Sequence, residues 1–128
     1  MIKEIKILST KRNEFIDITD RIESLIKDVK EGTVTIFCPH TTAAITINEN
    51  ADPDVQRDIL WKLSQSIPKQ DSYKHGEGNS DAHIKSSLIG QSVTVIVVEG
   101  KLILGTWQAI FFCEFDGPRE RKVIIKIN

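Results

Sequence analysis

Apolar residues along the chain recur with two different periods, and each change of period marks an element. Ile2–Leu8 and Glu14–Ile18 alternate loosely on either side of the polar stretch Ser9-Thr10-Lys11-Arg12-Asn13, which predicts a first antiparallel strand pair. The period then lengthens. Ile22, Leu25, Ile26 and Val29 fall at i, i+3, i+4 and i+7, the stripe of a helix with Asp20 as its cap, Glu23 reaching back and Gly32 as its stop. Thr33–Cys38 and Thr42–Asn48 are rich in β-branched residues and read as a hairpin whose turn, Pro39-His40-Thr41, presents His40 at a strand end. Asp52 followed by Pro53 opens a second helix, with Val55, Ile59, Leu60 and Leu63 on one face up to Pro68. Trp61 lies beside that face, as core or as a subunit contact.

The segment from Tyr73 to His83, Y-K-H-G-E-G-N-S-D-A-H, fits neither period. After it, Ser80 or Asp81 can cap a short helix through Leu88 that Gly90 closes, which puts Asn79 at a helix start and His83 in the first turn. Ser92–Val98 is a continuous β-branched strand, and Glu99-Gly100 is a two-residue hairpin signal leading into Lys101–Leu104. Gly105–Phe115 reads as a long strand, Asp116-Gly117-Pro118 as a turn and Lys122–Ile127 as the last strand, the final three strands forming a meander. The sum is α+β: a mainly antiparallel sheet or sandwich with two longer helices and one short helix. At 128 residues it is a single domain, residues 1–128, with no repeat or linker.

Charge narrows the partners. Seventeen basic and eighteen acidic residues leave a net charge of −1, which removes the bulk electrostatic case for nucleic acid or an anionic membrane. No apolar run reaches the length of a membrane span, and the N-terminal M-I-K-E-I-K-I-L lacks the apolar block of a signal peptide. The expected compartment is the cytoplasm. Cys38 and Cys113 lie in apolar runs and are expected as buried free thiols, neither with an activating partner in its own segment.

Chemistry concentrates at a few positions. His40, His75 and His83 are the only histidines, and three imidazoles leave a fourth zinc position open to water or substrate. Their spacing matches no compact metal motif, so ordinary hydrogen-bonded histidines are the competing expectation. Gly76 and Gly78 ahead of a helix start suit an anion cradle, although Glu77 and Asp81 would repel a phosphate and a surface loop explains the same residues. In Asp116-Gly117-Pro118-Arg119-Glu120-Arg121, a guanidinium of Arg119 or Arg121 can grip a phosphate bidentately, where a polar turn is the alternative. Glu49 and Asn50 suit acid/base or ligand roles or a helix cap, and Trp107 and Gln108 suit a pocket lining or a core or interface position.

Four blocks in order, H-T-T-A-A-I-T-I-N-E-N-A-D-P-D-V (His40–Val55), H-G-E-G-N-S-D-A-H (His75–His83), L-G-T-W-Q (Leu104–Gln108) and E-F-D-G-P-R-E-R (Glu114–Arg121), together resemble the YjbQ-like family, whose members are often named secondary thiamine-phosphate synthases. The resemblance covers essentially the whole chain. It implies an α+β domain that assembles as a homotrimer, with sites near subunit boundaries. It also implies a weak, secondary joining of hydroxymethylpyrimidine diphosphate to thiazole phosphate with release of pyrophosphate. The family's motif positions fall on His40, Thr41, Glu49, His75, Asn79, His83, Trp107, Gln108, Asp116 and Arg119. On this reading His40, Glu49, Asn79, Asp116 and Arg119 carry catalysis. Thr41, Gly76, Gly78, Trp107, Gln108, Arg119 and Arg121 hold a small phosphorylated metabolite, and His40, His75 and His83 hold a divalent metal, zinc or magnesium, or contact phosphate directly. A metal-dependent hydrolase and a non-catalytic metabolite-binding trimer are the alternatives.

Overall fold

Two antiparallel sheets face each other across one apolar core, and helices cover the outer face of the smaller sheet. The computed structural model describes residues 1–128. In chain order the elements are β1 (Ile2–Leu8), β2 (Glu14–Asp17), α1 (Thr19–Glu23), β3 (Glu31–Phe37), β4 (Ala43–Glu49), α2 (Pro53–Ser66), α3 (Ser80–Ile89), β5 (Ser92–Val98), β6 (Lys101–Leu102), β7 (Gln108–Glu114) and β8 (Glu120–Ile127). One sheet has the order β1-β8-β3-β5-β6 and the other β2-β7-β4. The fold is α+β and mainly antiparallel, as the pattern implies.

Alternation does the packing. Ile5 and Ile7, Val34 and Ile36, Val95 and Val97, and Val123 and Ile125 all point inward from the large sheet, and Ile45, Ile110 and Phe112 meet them from the small one. Because successive strand residues face opposite sides, Ala109, Phe111 and Cys113 of β7 point the other way, where Ala82, Leu60, Leu63 and Ile89 of the helices pack over them. β7 is therefore buried on both faces, which explains its unbroken apolar run A-I-F-F-C. Both cysteines are buried free thiols, with burial raising the Cys38 pKa to about 11.

Three expectations about connectivity change, and several element bounds with them. β1 and β2 do not pair: β1 pairs with β8 and β2 with β7, so the Ser9–Asn13 connection crosses from one sheet to the other. β3 and β4 likewise belong to different sheets and form no hairpin; Cys38–Thr42 is a crossing. The closing strands form no meander, since β7 lies in the small sheet and β8 between β1 and β3. The expected helix from Asp20 to Gly32 is only five residues long. Beyond it the bonds Leu25 N–H to Ile22, Ile26 N–H to Glu23 and Val29 N–H to Ile26 span three residues, so tight turns of similar period keep Ile22 and Ile26 on the core side without a continuous helix. Asp20 caps nothing, and Gly32 lies in β3 instead of ending a helix. The expected helix after Asn79 forms as α3, closed by Gly90 as expected, while β6 stops at Leu102 and β7 begins only at Gln108.

Asp52 and Pro53 behave as expected, the Asp52 carboxylate accepting from the Asp54 N–H at 2.9 Å at the start of α2. Glu99 and Gly100 have φ of 49° and 73°, the two left-handed residues of a type I′ hairpin. No helix is long and apolar enough to cross a membrane.

Candidate active site

Three connections converge at one end of the sandwich: the crossing that carries His40, the loop that enters α3, and the turn between β7 and β8. Together they line a polar cleft of about 380 Å³ whose walls include His40, Thr41, Asn79, His83, Asp116 and Arg119. Apart from Pro39, every side chain that lines it is polar or charged.

Its floor is a buried ion pair. Glu114 ends β7 and is fully buried, and Arg121, on β8, is 5 % exposed. The guanidinium holds the carboxylate through Nε at 2.9 Å and through Nη2, and Nη2 also donates to Thr42 Oγ1 at 2.8 Å. Ser9 Oγ donates to Glu114 at 2.7 Å. Burial pushes the Glu114 carboxyl up, but Arg121, Ser9 and the Asp116 N–H outweigh it and hold it below the usual carboxylate range. Arg121, expected as a phosphate contact, has two of its three nitrogens committed to the protein, so its first role is to fix the cleft floor.

Above it, Asp116 is the hub. Its Oδ2 accepts from Asn79 Nδ2 at 2.8 Å and from Arg119 Nη2 at 3.0 Å, while Arg119 Nε donates to the Asp116 carbonyl at 2.9 Å. Arg119 is half exposed and Asp116 largely covered, so a partly buried acid aims an accessible guanidinium. Gly117 makes this turn possible: a Cβ there would lie 2.3 Å from the Lys11 carbonyl oxygen and 2.6 Å from Ser9 Oγ. Asn79 Oδ1 is buried without a partner. Turning the amide over would place that oxygen against the Asp116 carboxylate, so the cleft wall retains an unused acceptor.

The three histidines make different contacts. His40 Nε2 accepts from the Lys122 N–H at 3.1 Å, and burial, with Arg121 nearby, lowers its pKa and favours the neutral ring that this bond needs. His75 and His83 meet edge to face with centroids 5.5 Å apart, and His75 Nε2 is 3.8 Å from Glu77. No group of three histidine, cysteine or acidic side chains converges in a way that could hold a metal ion. The expected set His40, His75 and His83 thus does not form within one chain, and we derive no step through a metal. Gly78 has a φ of 79°, a turn conformation suited to glycine, whereas Gly76 simply has open space around it, with no atom within 4 Å of where a Cβ would lie.

Glu49, Trp107 and Gln108 lie elsewhere. In the β4–β7 ladder Ala43 faces Glu114 at the cleft end and Glu49 faces Gln108 at the other, a separation of about 20 Å at strand rise. Gln108 Oε1 accepts from the Gly105 N–H at 2.8 Å, and Trp107 is 62 % exposed.

A second buried network sits behind the cleft. Arg12 grips Asp81 with two bonds of 2.9 and 3.0 Å. Lys85, 1 % exposed, reaches Asp81, Asn13 and Ser64, each at 3.3 Å. This network ties α3, which carries His83, to the β1–β2 connection and to α2. Burial lowers the Lys85 pKa against the opposing pull of Asp81. Burial also raises Asp81, but Arg12 and Lys85 prevail and leave it below its ordinary value. Neither Arg12 nor Lys85 stands out in the sequence; the one trace is the four-residue spacing of Asp81 and Lys85.

A model of the family described as UPF0047 protein YjbQ-like matches residues 3–128. The chain belongs to the UPF0047, YjbQ-like family. It is 57 % identical to UPF0047 protein MJ1081 of Methanocaldococcus jannaschii, over 99 % of this chain and 94 % of that one. Identity to the family member YugU of Bacillus subtilis is 52 %, over 99 % and 98 %. Among solved structures, an uncharacterised YjbQ/UPF0047 protein of Clostridium acetobutylicum superposes with a TM-score of 0.96 at 55 % identity, covering 98 % and 99 % of the two chains. A related protein of unknown function from Sulfolobus solfataricus gives 0.94 at 36 % identity, over 99 % and 95 %. The UPF0047 fold is thus shared over nearly the whole chain, and the two solved relatives are described as uncharacterised and of unknown function.

Proposed function

We propose that the cleft binds a small phosphorylated metabolite and that the chain is a weak thiamine-phosphate synthase, joining hydroxymethylpyrimidine diphosphate to thiazole phosphate. The observation that carries this reading is Arg119, an accessible guanidinium aimed by a largely covered Asp116 into a cleft that also contains His83 and Thr41. In the reaction the bond between the pyrimidine methylene carbon and the diphosphate oxygen breaks, and the oxygen keeps the electron pair. The thiazole nitrogen lone pair forms the new carbon–nitrogen bond, and pyrophosphate leaves. Arg119 stabilises the charge that develops on the departing diphosphate, the electrostatic contribution that dominates many such steps. His83 and Thr41 hydrogen-bond to the same group, and Asn79 offers Oδ1 to a donor on the substrate. Asp116 shares Arg119 with any incoming phosphate, which limits affinity and fits a secondary activity.

In the same proposal the working unit is a homotrimer in which Glu49, Trp107 and Gln108 of one subunit complete the cleft of another. Their distance from their own cleft, and the exposure of Trp107 and of Trp61 at 60 %, support that arrangement.

The test is synthase turnover and phosphate affinity in Arg119→Lys and His83→Ala, with circular dichroism as the folding control. Arg119→Lys keeps the charge but loses the fork, and about a tenfold loss of phosphate affinity is expected, with an unchanged fold. His83→Ala is expected to abolish turnover. Unchanged affinity and turnover in both variants refute the site. Cleavage without a thiazole acceptor would identify a hydrolase instead, and binding without turnover a metabolite-binding protein.

A further inference from the structure

Beside the polar cleft lies a second, larger groove of about 610 Å³. The two share one wall, formed by Pro39, His40, Thr41 and His83. Beyond it the groove is bounded by Phe37 and Cys38 at the end of β3, by Ser86 and Ser87 on α3, and by Gln91. Apart from the two shared histidines it contains no ionisable side chain other than the Cys38 thiol, which burial keeps protonated.

Its two serine hydroxyls and the Gln91 amide nitrogen are already paired with the protein. Ser86 Oγ donates to the Ala43 carbonyl at 2.6 Å and accepts from Gln91 Nε2 at 2.7 Å. Ser87 Oγ donates to the His83 carbonyl at 2.8 Å. With both hydroxyl protons and the amide donor engaged, the groove presents the Phe37 ring, Pro39 and side-chain carbon to a ligand. Such a lining rewards apolar contact and offers little to a charged or sugar-like group. The neighbouring cleft is the opposite, with Arg119, Asp116, Glu77 and Asn79 around it and only the shared Pro39 as an apolar side chain.

We infer that the site has two compartments and that its ligand is a phosphate ester with an uncharged aryl or hydrocarbon body, the body lying in the Phe37–Gln91 groove and the phosphate in the Arg119 cleft. The inference rests on the phosphorylated-metabolite reading for the charged end only; the groove is argued independently of it. Phe37, 42 % exposed at its strand end, and Ser87, exposed on α3, can both be changed without opening the core.

The experiment titrates the full chain with inorganic phosphate, benzyl phosphate, glycerol phosphate and benzyl alcohol, by calorimetry and by amide chemical shifts. Benzyl phosphate is expected to bind about tenfold more tightly than glycerol phosphate, a difference of about 1.4 kcal/mol. Phe37→Ala, which removes the ring, and Ser87→Phe, which fills the groove, are expected to erase that advantage while inorganic phosphate binds both variants as it binds the parent. Equal affinity for the two esters, or an advantage that survives both variants, overturns the inference. If inorganic phosphate does not bind, the phosphate reading fails on its own, and benzyl alcohol decides the groove. Shifts centred on Phe37, Ser87 and Gln91 uphold it, and their absence overturns it.

Discussion

Asp81 shows how much one buried side chain can decide. Its carboxylate is the only counter-charge for Lys85 and is gripped twice by Arg12, so removing it leaves the buried Lys85 unpaired beside a second, partly exposed cation. Breaking such a pair costs about 3–5 kcal/mol. Because the folded pKa lies below that of an unfolded carboxyl, near 4, its stabilisation is fully present above that value. It is lost as pH falls through the depressed folded value. Glu114 adds a contribution of the same sign. The denaturation midpoint of the parent should therefore fall between about pH 5 and pH 2. Asp81→Asn should begin lower and fall less steeply, and parallel curves for the two proteins would show that Asp81 contributes nothing to acid stability. The sequence shows Asp81 as a possible cap or as a charge beside an anion cradle, not as a buried ion pair, because its partners lie 69 residues before it and one helical turn after it.

Among the elements, the turn between β7 and β8 carries the greatest demand. It must bring Asp116 and Arg119 to the cleft while its backbone passes close to the β1–β2 connection, with the Gly117 N–H donating to the Arg12 carbonyl at 3.1 Å. Gly117→Ala places a methyl group against the Lys11 carbonyl, Ser9 Oγ and Glu114. The backbone must move, at a cost of about 1–3 kcal/mol. The expected result is a lower melting temperature together with weaker phosphate binding, because the displaced turn carries Arg119. A variant that melts earlier but binds phosphate normally would separate the turn from the site. Asp116-Gly117-Pro118 is recognisable as a turn in the sequence; the reason for its glycine is the neighbouring backbone.

On the scale of the whole molecule, the cleft and the Glu49–Trp107–Gln108 group stand at opposite ends of one ladder. The proposed homotrimer brings them together between chains. Native mass spectrometry should then give three times the 14.5 kDa chain mass. Mixing inactive Arg119→Ala subunits with inactive Gln108→Ala subunits should restore part of the synthase activity, since some interfaces in the mixed trimers carry both intact halves. A monomeric mass, or no recovery on mixing, would rule out a shared site.

Local sequence pattern alone determined the class, the strand character of β3, β5 and β8, the Asp52–Pro53 start of α2 and the two-residue hairpin at Glu99-Gly100, because each depends on residues a few positions apart. Of the candidate residues singled out in the sequence, His40, Asn79, His83, Asp116 and Arg119 all reach one cleft. Strand pairing was not legible, since either sheet satisfies the same alternation and only the shared core sends Ser9–Asn13 and Cys38–Thr42 across between sheets. Tertiary structure alone also decided that Arg121 pairs with Glu114, that His40 is held by the β8 backbone, and that Glu49, Trp107 and Gln108 stand apart. Those outcomes turn on distances between residues remote in sequence, which a local pattern does not encode.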